Sequence, residues 1–286
     1  MQKAVNRIHS VEQTLAVIQA CRDAGFRSIN IDLIYGLPKQ SLEGFARTLD
    51  TLIAVRPERL AIYSYAHLPA LFKPQTQILI DDLPSPEVKL ALLQLAIEKL
   101  SAAGYRYIGM DHFALPSDAL AVAQQAGTLH RNFMGYTTYA QTDLIGLGVS
   151  AISHVGESYS QNPRDLAGYE AAIDAGHLAV WRGMHMSVDD QLRGELIQQL
   201  MCQSEISVAS LEQRYRINFA EYFAADLQRL AALAADDLVQ VSGTKITATA
   251  RGRLLLRSIA ACFDFYLHAP KSGAVKFEAP RFSRVI

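Results

Sequence analysis

The chain has 286 residues, 50% hydrophobic, 8% aromatic and 19% charged, with a mean hydropathy of +0.09; such a balance buries a large core and excludes a disordered chain. Twenty-seven Lys and Arg against 28 Asp and Glu leave a formal charge of −1 and a pI of 6.7, so there is no basic excess to neutralise a run of phosphates, and nucleic acid is excluded as a partner. No apolar stretch approaches the roughly 20 residues of a bilayer-spanning helix, and the opening MQKAVNRIHS lacks the apolar core of a secretory signal, so the chain reads as cytoplasmic with no membrane partner.

In chain order, Ser10 with Gln13 forms a capping box, Val11, Leu15, Ile18 and Cys21 recur at helical spacing, and Gly25 supplies a stop, which predicts a helix over 10–24. RSINIDLIY (27–35) then alternates as a strand, with Ile29, Ile31 and Leu33 on one face and Asn30 and Asp32 on the other. Gly36-Leu37-Pro38 breaks it, Ser41 caps a second helix, LEGFARTLDTLIAV, and Pro57 precedes a second strand, RLAIYSY (59–65). After a connection marked by Pro69, Pro74, Pro84 and Pro86, VKLALLQLAIEKLSAAG (88–104) is helical and YRYIGM (105–110) is a third strand. Strands alternating with helices predict an α/β unit with a parallel sheet. Ligands of such sheets gather at the carboxyl ends of the strands, which nominates Asp32, Tyr35, Tyr65, Ala66, Asp111 and His112. A plain role stands open to each, since a strand-end Asp also caps loops and a Tyr also fills core.

The stretch 113–160 reads as loop-rich. Gly146, Gly148 and Ala151 spell G-x-G-x-x-A, but no periodic helix follows, so close backbone approach to a ligand or strand is favoured over a pyrophosphate cradle. From Ser187 the pattern gives three helices (VDDQLRGELIQQLMC, LEQRYR, FAEYFAADLQRLAALAA), then strand, Ser-Gly turn, strand and a last helix, a winged-helix-like order. Its eight Lys and Arg against nine Asp and Glu over 187–262 oppose a DNA footprint and favour a lid or packing module. Cys21, Cys202 and Cys262 are too scattered for a disulfide framework or a compact metal motif, and no His pair has zinc spacing, so no metal site is assigned.

The strings AVNRIHSVEQTLAVIQACRDAGFRSINIDLIYGLPKQS, RLAIYSYAHLP, YRYIGMDHFALP, LHRNFMGYTTY and DLIGLGVSAIS, with the closing FSRVI, resemble the oxygen-independent coproporphyrinogen III oxidase (coproporphyrinogen dehydrogenase) family of the radical S-adenosylmethionine superfamily, in order and over essentially the whole chain. The resemblance implies the C-terminal portion of an open (β/α) barrel with active-site loops over 1–160, followed by a mostly helical, winged-helix-like domain over 161–286. It implies oxidative decarboxylation of two propionates of coproporphyrinogen III to vinyl groups, giving protoporphyrinogen IX, with S-adenosylmethionine, a 4Fe-4S cluster and an electron donor. The C-x-x-x-C-x-x-C motif that holds the family's cluster does not occur in this sequence. The chain is therefore expected to be inactive alone and, through an unpaired strand at its cut edge, to aggregate or to need an N-terminal half polypeptide.

By the same resemblance, Arg7 and Asp32 match positions that bind polar groups of S-adenosylmethionine, Ala66 and Ile152 match positions lining the adenosyl pocket, and Phe133 borders a second S-adenosylmethionine site. Met134 stands where the family commonly has Gln, exchanging an amide for a weakly accepting thioether. Arg131 and Lys39 are the cations expected for the tetra-anionic substrate, on charge and placement. No catalytic residue is assigned. Two alternatives stay open: a haem-chaperone relative, and a non-catalytic tetrapyrrole-binding module.

Overall fold

The computed structural model describes residues 2–140 and 142–268, so the closing FSRVI lies outside the described residues. By its contacts the chain divides into two compact units, one ending at Gln125 and the other beginning at Ala126.

In the first unit α1 (Val11–Asp23) starts on the expected capping box, with Gln13 N donating to Ser10 Oγ at 3.1 Å and Ser10 N to Gln13 Oε1 at 3.2 Å. Gly25 follows at φ +83°, the left-handed region a helix stop requires. β1 (Asn30–Tyr35) and β2 (Arg59–Ser64) pair in parallel, joined by α2 (Leu42–Val55), whose cap Ser41 accepts from Gly44 N. The βαβ unit is thus as predicted.

α3 (Pro86–Ala102) leads to β3 (Arg106–Gly109), and here the fold departs from expectation. A further strand, β4 (His112–Ala114), folds back and inserts between β2 and β3, antiparallel to both, so the sheet is mixed with order β1-β2-β4-β3. Only Met110 and Asp111 separate the two strands. Such a reversal demands positive φ, which Gly109 (+150°) and Met110 (+54°) adopt. Nor is 113–125 loop: Phe113 and Ala114 are buried in β4, and α4 (Ala119–Gln125) buries Leu120, Ala121 and Ala123. Asp118 starts that helix by accepting from Leu120 N at 2.8 Å, and ties it to β2 through Arg59 Nε at 2.8 Å. α2 and α3 pack together, burying Phe45, Leu49, Leu92, Ala96 and Leu100 with strand residues Leu60, Ile62, Ile108 and Phe113.

The second unit opens with a hairpin of β5 (His130–Asn132) and β6 (Gly135–Thr137), followed by an antiparallel sheet of β7 (Ile152–Val155), β8 (Ser158–Gln161) and β9 (Arg182–His185). The boundary expected at 160 falls inside β8, because that strand bonds β7 on one side and β9 on the other; α5 (Leu166–Asp174) bridges β8 to β9. β7, a strand and not a helix, follows Gly146 and Gly148. Gly146 is a close-approach glycine, since a Cβ there would stand 2.8 Å from the Ile152 carbonyl oxygen.

The remainder follows winged-helix order: α6 (Val188–Gln203), β10 (Glu205–Ser207), α7 (Val208–Tyr215), α8 (Phe219–Tyr222), α9 (Ala224–Ala235), β11 (Val239–Val241), β12 (Lys245–Ala248), α10 (Leu256–Ala261) and α11 (Phe265–His268). β10 adds a third strand to the expected hairpin, pairing with β12. The helix expected over FAEYFAADLQRLAALAA breaks at Phe223, whose fully buried ring packs on Phe219 and Phe263 at 4.7 and 5.8 Å between centroids.

One buried charge organises these helices. Asp226, 3% exposed, accepts from Arg193 Nη1 at 2.9 Å and Arg229 Nη2 at 2.7 Å; Arg193 also donates to the Phe263 carbonyl, and Arg229 to that of Cys262. Removing the carboxylate leaves Arg229 without its ion-pair partner and Arg193 with Asp189 alone, so Asp226→Ala should lose about 2 kcal/mol of stability. Asp226→Asn, which keeps an acceptor, should lose less. Urea unfolding of the three proteins checks this, and equal midpoints would refute it.

Candidate functional site

Because β1 and β2 pair in register, residues opposite one another share a face. Asp32 stands opposite Ala61, and Ala61 opposite His112 on β4; Ile34 stands opposite Tyr63. Helices cover the face bearing Leu60, Ile62 and Phe113, and the other face is open, with Asn30, Asp32, Ile34 and Tyr63 exposed. Polar side chains thus stand on three strands of this face, Asn30 and Asp32 on β1, Tyr63 on β2 and His112 on β4, with the buried Ala61 between Asp32 and His112. Asp32 accepts from Asn30 Nδ2 at 2.6 Å. His112 shares a 2.7 Å hydrogen bond between its Nδ1 and Asp111 Oδ1, and its ring meets Tyr63 edge-on at 6.1 Å.

The carboxyl ends of β1 and β2 are held rigid by two glutamines. Gln40 Oε1 accepts from Gly36 N (2.6 Å) and Leu37 N (3.2 Å), closing the turn after β1, where Gly36 sits at φ +82°. Gln75 donates to the Ala66 carbonyl at 3.1 Å and accepts from Leu68 N, fixing the segment after β2. Tyr65 turns its hydroxyl to His67 Nδ1 at 3.3 Å, and burial pushes its ionisation up; Tyr35 is buried as core. Lys89, hidden in the apolar run of α3, brings its ammonium to the Tyr65 carbonyl at 3.4 Å, and burial lowers its pKa. Lys39, by contrast, is paired with Asp82 at 3.3 Å.

Of the residues matched by resemblance, Asp32 lies on β1 and Ala66 in the segment that follows β2, the strand paired with β1. Arg7 is exposed in a turn after a short 3-10 helix, its N–H bonded to the Gln2 carbonyl, and it forms no ion pair with Asp32. The others belong to the second unit. Phe133 and Met134 occupy the β5–β6 turn, 60% and 86% exposed. Phe133 meets Tyr159 edge-on at 5.6 Å, and Tyr159 stacks on His154 at 4.3 Å. His154 is two residues from Ile152 on β7, so the rings and Ile152 share one face. Arg131 lies over the Tyr136 ring at 5.7 Å, its backbone held by Gln198 and its Nε buried without a hydrogen-bond partner. Gln40, Gln75, Tyr63, Lys89, His154 and Tyr159 were not singled out from sequence for this rim and face. A glutamine or lysine inside an ordinary loop or helix pattern carries no signal of its place.

None of the three cysteines is in a disulfide, and among the described residues no three His, Cys, Asp or Glu side chains stand close enough together to hold a metal ion. Cys202 and Cys262 are buried, and burial pushes the Cys202 thiol up to about 12. No helix among the described residues is long and apolar enough to cross a membrane.

Residues 186–255 match the HemN C-terminal domain family. Along its full length the chain is 51% identical to the oxygen-independent coproporphyrinogen III oxidase of Pseudomonas aeruginosa and 48% to that of Escherichia coli, covering 61% of each. It is 43% identical to that of Thermostichus vulcanus over 96% of this chain and 84% of the relative. The chain belongs to the oxygen-independent coproporphyrinogen III oxidase family. Its fold agrees: a solved E. coli structure, described as coproporphyrinogen III oxidase (HemN), a radical SAM enzyme, superposes with a TM-score of 0.89 at 49% identity, over 93% of this chain and 61% of that one. As a family member the chain thus spans about three fifths of its Pseudomonas and E. coli relatives, as a mixed α/β sheet unit that is not a closed barrel, followed by the winged-helix-like unit.

His130, on β5, has its pKa lowered by burial and secondarily by His154. The unfolded chain therefore takes up this proton first, and stability contributed by neutral His130 is lost as pH falls through and below about 6.5, the ordinary histidine value. Urea midpoints should fall between pH 7 and 5, and fall less in His130→Gln. Parallel pH profiles would refute the assignment.

Proposed function

We propose that this chain forms the C-terminal part of an oxygen-independent coproporphyrinogen III oxidase, acting with an N-terminal polypeptide in the cytoplasm to convert coproporphyrinogen III to protoporphyrinogen IX. The observation that carries this reading is the match to the E. coli structure at a TM-score of 0.89 and 49% identity. The open polar face of the first sheet supports it, and three cysteines outside any disulfide suit a reducing compartment.

The residues fit S-adenosylmethionine and not the cluster. Asp32 presents a carboxylate on an open face with one side-chain partner, Asn30, and so keeps acceptor capacity for ribose hydroxyls. The backbone around Ala66 is pinned by Gln75 at a strand end, where a flat base is readily received. Arg7 is exposed and offers a fork for a carboxylate. In the second unit, taken by itself, the exposed Phe133 offers apolar surface for a further cofactor molecule, with the Met134 thioether a poor substitute for an amide there. For the cluster, Cys202 and Cys262 are buried and Cys21 sits on α1, so the thiolates must come from another segment.

S-adenosylmethionine, a reduced 4Fe-4S cluster and an electron donor would together supply the radical that removes a hydrogen from a propionate before carbon dioxide leaves. This chain's part is to orient and to exclude water. Lys89 in the first unit and Arg131 in the second each offer a cation to a substrate carboxylate.

Anaerobic reconstitution tests this, with the chain alone and mixed with a separately produced segment bearing C-x-x-x-C-x-x-C. Only the mixture should form 5′-deoxyadenosine and protoporphyrinogen, and Asp32→Ala in the mixture should lose at least about tenfold, the worth of one charge-assisted hydrogen bond. A mixture that stays inactive while the complete E. coli relative turns over in the same assay would overturn the reading.

A further inference from the structure

Trp181 is the chain's single tryptophan, and it stands 54% exposed immediately before β9. Two guanidiniums lie over its ring: Arg182 Cζ is 4.8 Å and Arg164 Cζ 5.6 Å from the ring centroid. Such stacking is attractive and orients each planar fork while leaving N–H groups at its edge. The platform is tied down from below. Trp181 N donates to the Gln161 carbonyl and Arg182 Nε to Gln161 Oε1, both at 2.8 Å, while Gln161 Nε2 donates to the Ser150 carbonyl at 3.1 Å. The neighbouring Asn162, 9% exposed, donates to the carbonyls of Gly146 and Gly148 at 3.2 and 2.9 Å, so the loop that Gln161 grips is itself fixed.

Among the described residues no carboxylate forms an ion pair with Arg164 or Arg182. Arg193, Arg214 and Arg229 of the same unit, by contrast, each pair with a carboxylate. Two oriented, unmatched forks on one aromatic ring suit a ligand with at least two carboxylates on short arms. Leu178 and Val180, 89% and 51% exposed just before the tryptophan, add apolar surface for the body that carries them. Gln161, which holds Arg182, stands opposite Ile152 across β7 and β8.

We propose that Arg164 and Arg182, bracketing Trp181, bind the propionate carboxylates of a tetrapyrrole. The nature of the ligand's body rests on the function proposed above; the preference for several carboxylates rests on the arginine and tryptophan geometry. No residue matched to S-adenosylmethionine takes part.

Since Trp181 is the only indole, its fluorescence reports on this site in the chain as it stands, without cluster or turnover. Coproporphyrin III, the stable oxidised form, should quench it saturably after absorbance correction, and its tetramethyl ester should not. Arg164→Ala/Arg182→Ala should weaken binding at least tenfold by equilibrium dialysis, with Arg164→Lys/Arg182→Lys intermediate and available if the alanine variant unfolds. Three results would each overturn the proposal: equal binding of acid and ester, dialysis affinity unchanged in both double variants, or quenching by citrate or phosphate with no binding of the porphyrin. Retained quenching beside an inactive reconstituted mixture would uphold this site while overturning the oxidase reading, and an active mixture with unchanged dialysis affinity would do the reverse.

Discussion

The parallel register of β1 with β2 is the constraint on which the first unit's chemistry depends. Side chains alternate along a strand, so one pairing decides at once which residues are sealed under α2 and α3 and which stay open. Asn30↔Arg59 through Tyr35↔Ser64 puts Leu60 and Ile62 in the core and leaves Asp32, Ile34 and Tyr63 on the open face. A slip of one residue would bury the Asp32 carboxylate and expose a row of aliphatic side chains. The apolar packing that stabilises the sheet is therefore also what holds these polar side chains in place.

Backbone clamps then convert strand ends into fixed surfaces. Gln40 and Gln75 satisfy or donate to main-chain groups that would otherwise fray where the strands stop. In the second unit Gln161 and Asn162 do the same for the loop around Gly146 and Gly148, and Gln198 for the backbone of Arg131. Side-chain amides are apt for this work because each both donates and accepts, and carries no charge that burial would penalise. The ion-paired residues do a different job. Asp118 braces the start of α4 to β2, and Asp226 binds two arginines inside the helical part, each by filling a buried carboxylate's acceptor sites.

Much of the local structure was legible because its causes are local. The Ser10–Gln13 capping box, the Ser41 cap, the alternation of Asn30–Tyr35 and the Ser-Gly turn between β11 and β12 all involve residues within a few positions of one another. The errors lie where the cause is remote. Nothing in HFA (112–114) says that it inserts between two strands met earlier in the chain, and the boundary expected at 160 falls inside β8 because nothing in that strand says that β9 pairs with it.

By itself the sequence determined the α/β character, the winged-helix order, the absence of a thiolate motif for a cluster and, through its motifs, the family, all of which depend on residue type and spacing along the chain. Tertiary structure alone decided that the sheet is mixed, that Lys39 is paired with Asp82 while Lys89 reaches the strand ends, and that two arginines converge on Trp181. The physical reason is that ion pairing, stacking and burial fall off within a few ångströms. They belong to distances through space, which spacing along a chain does not specify.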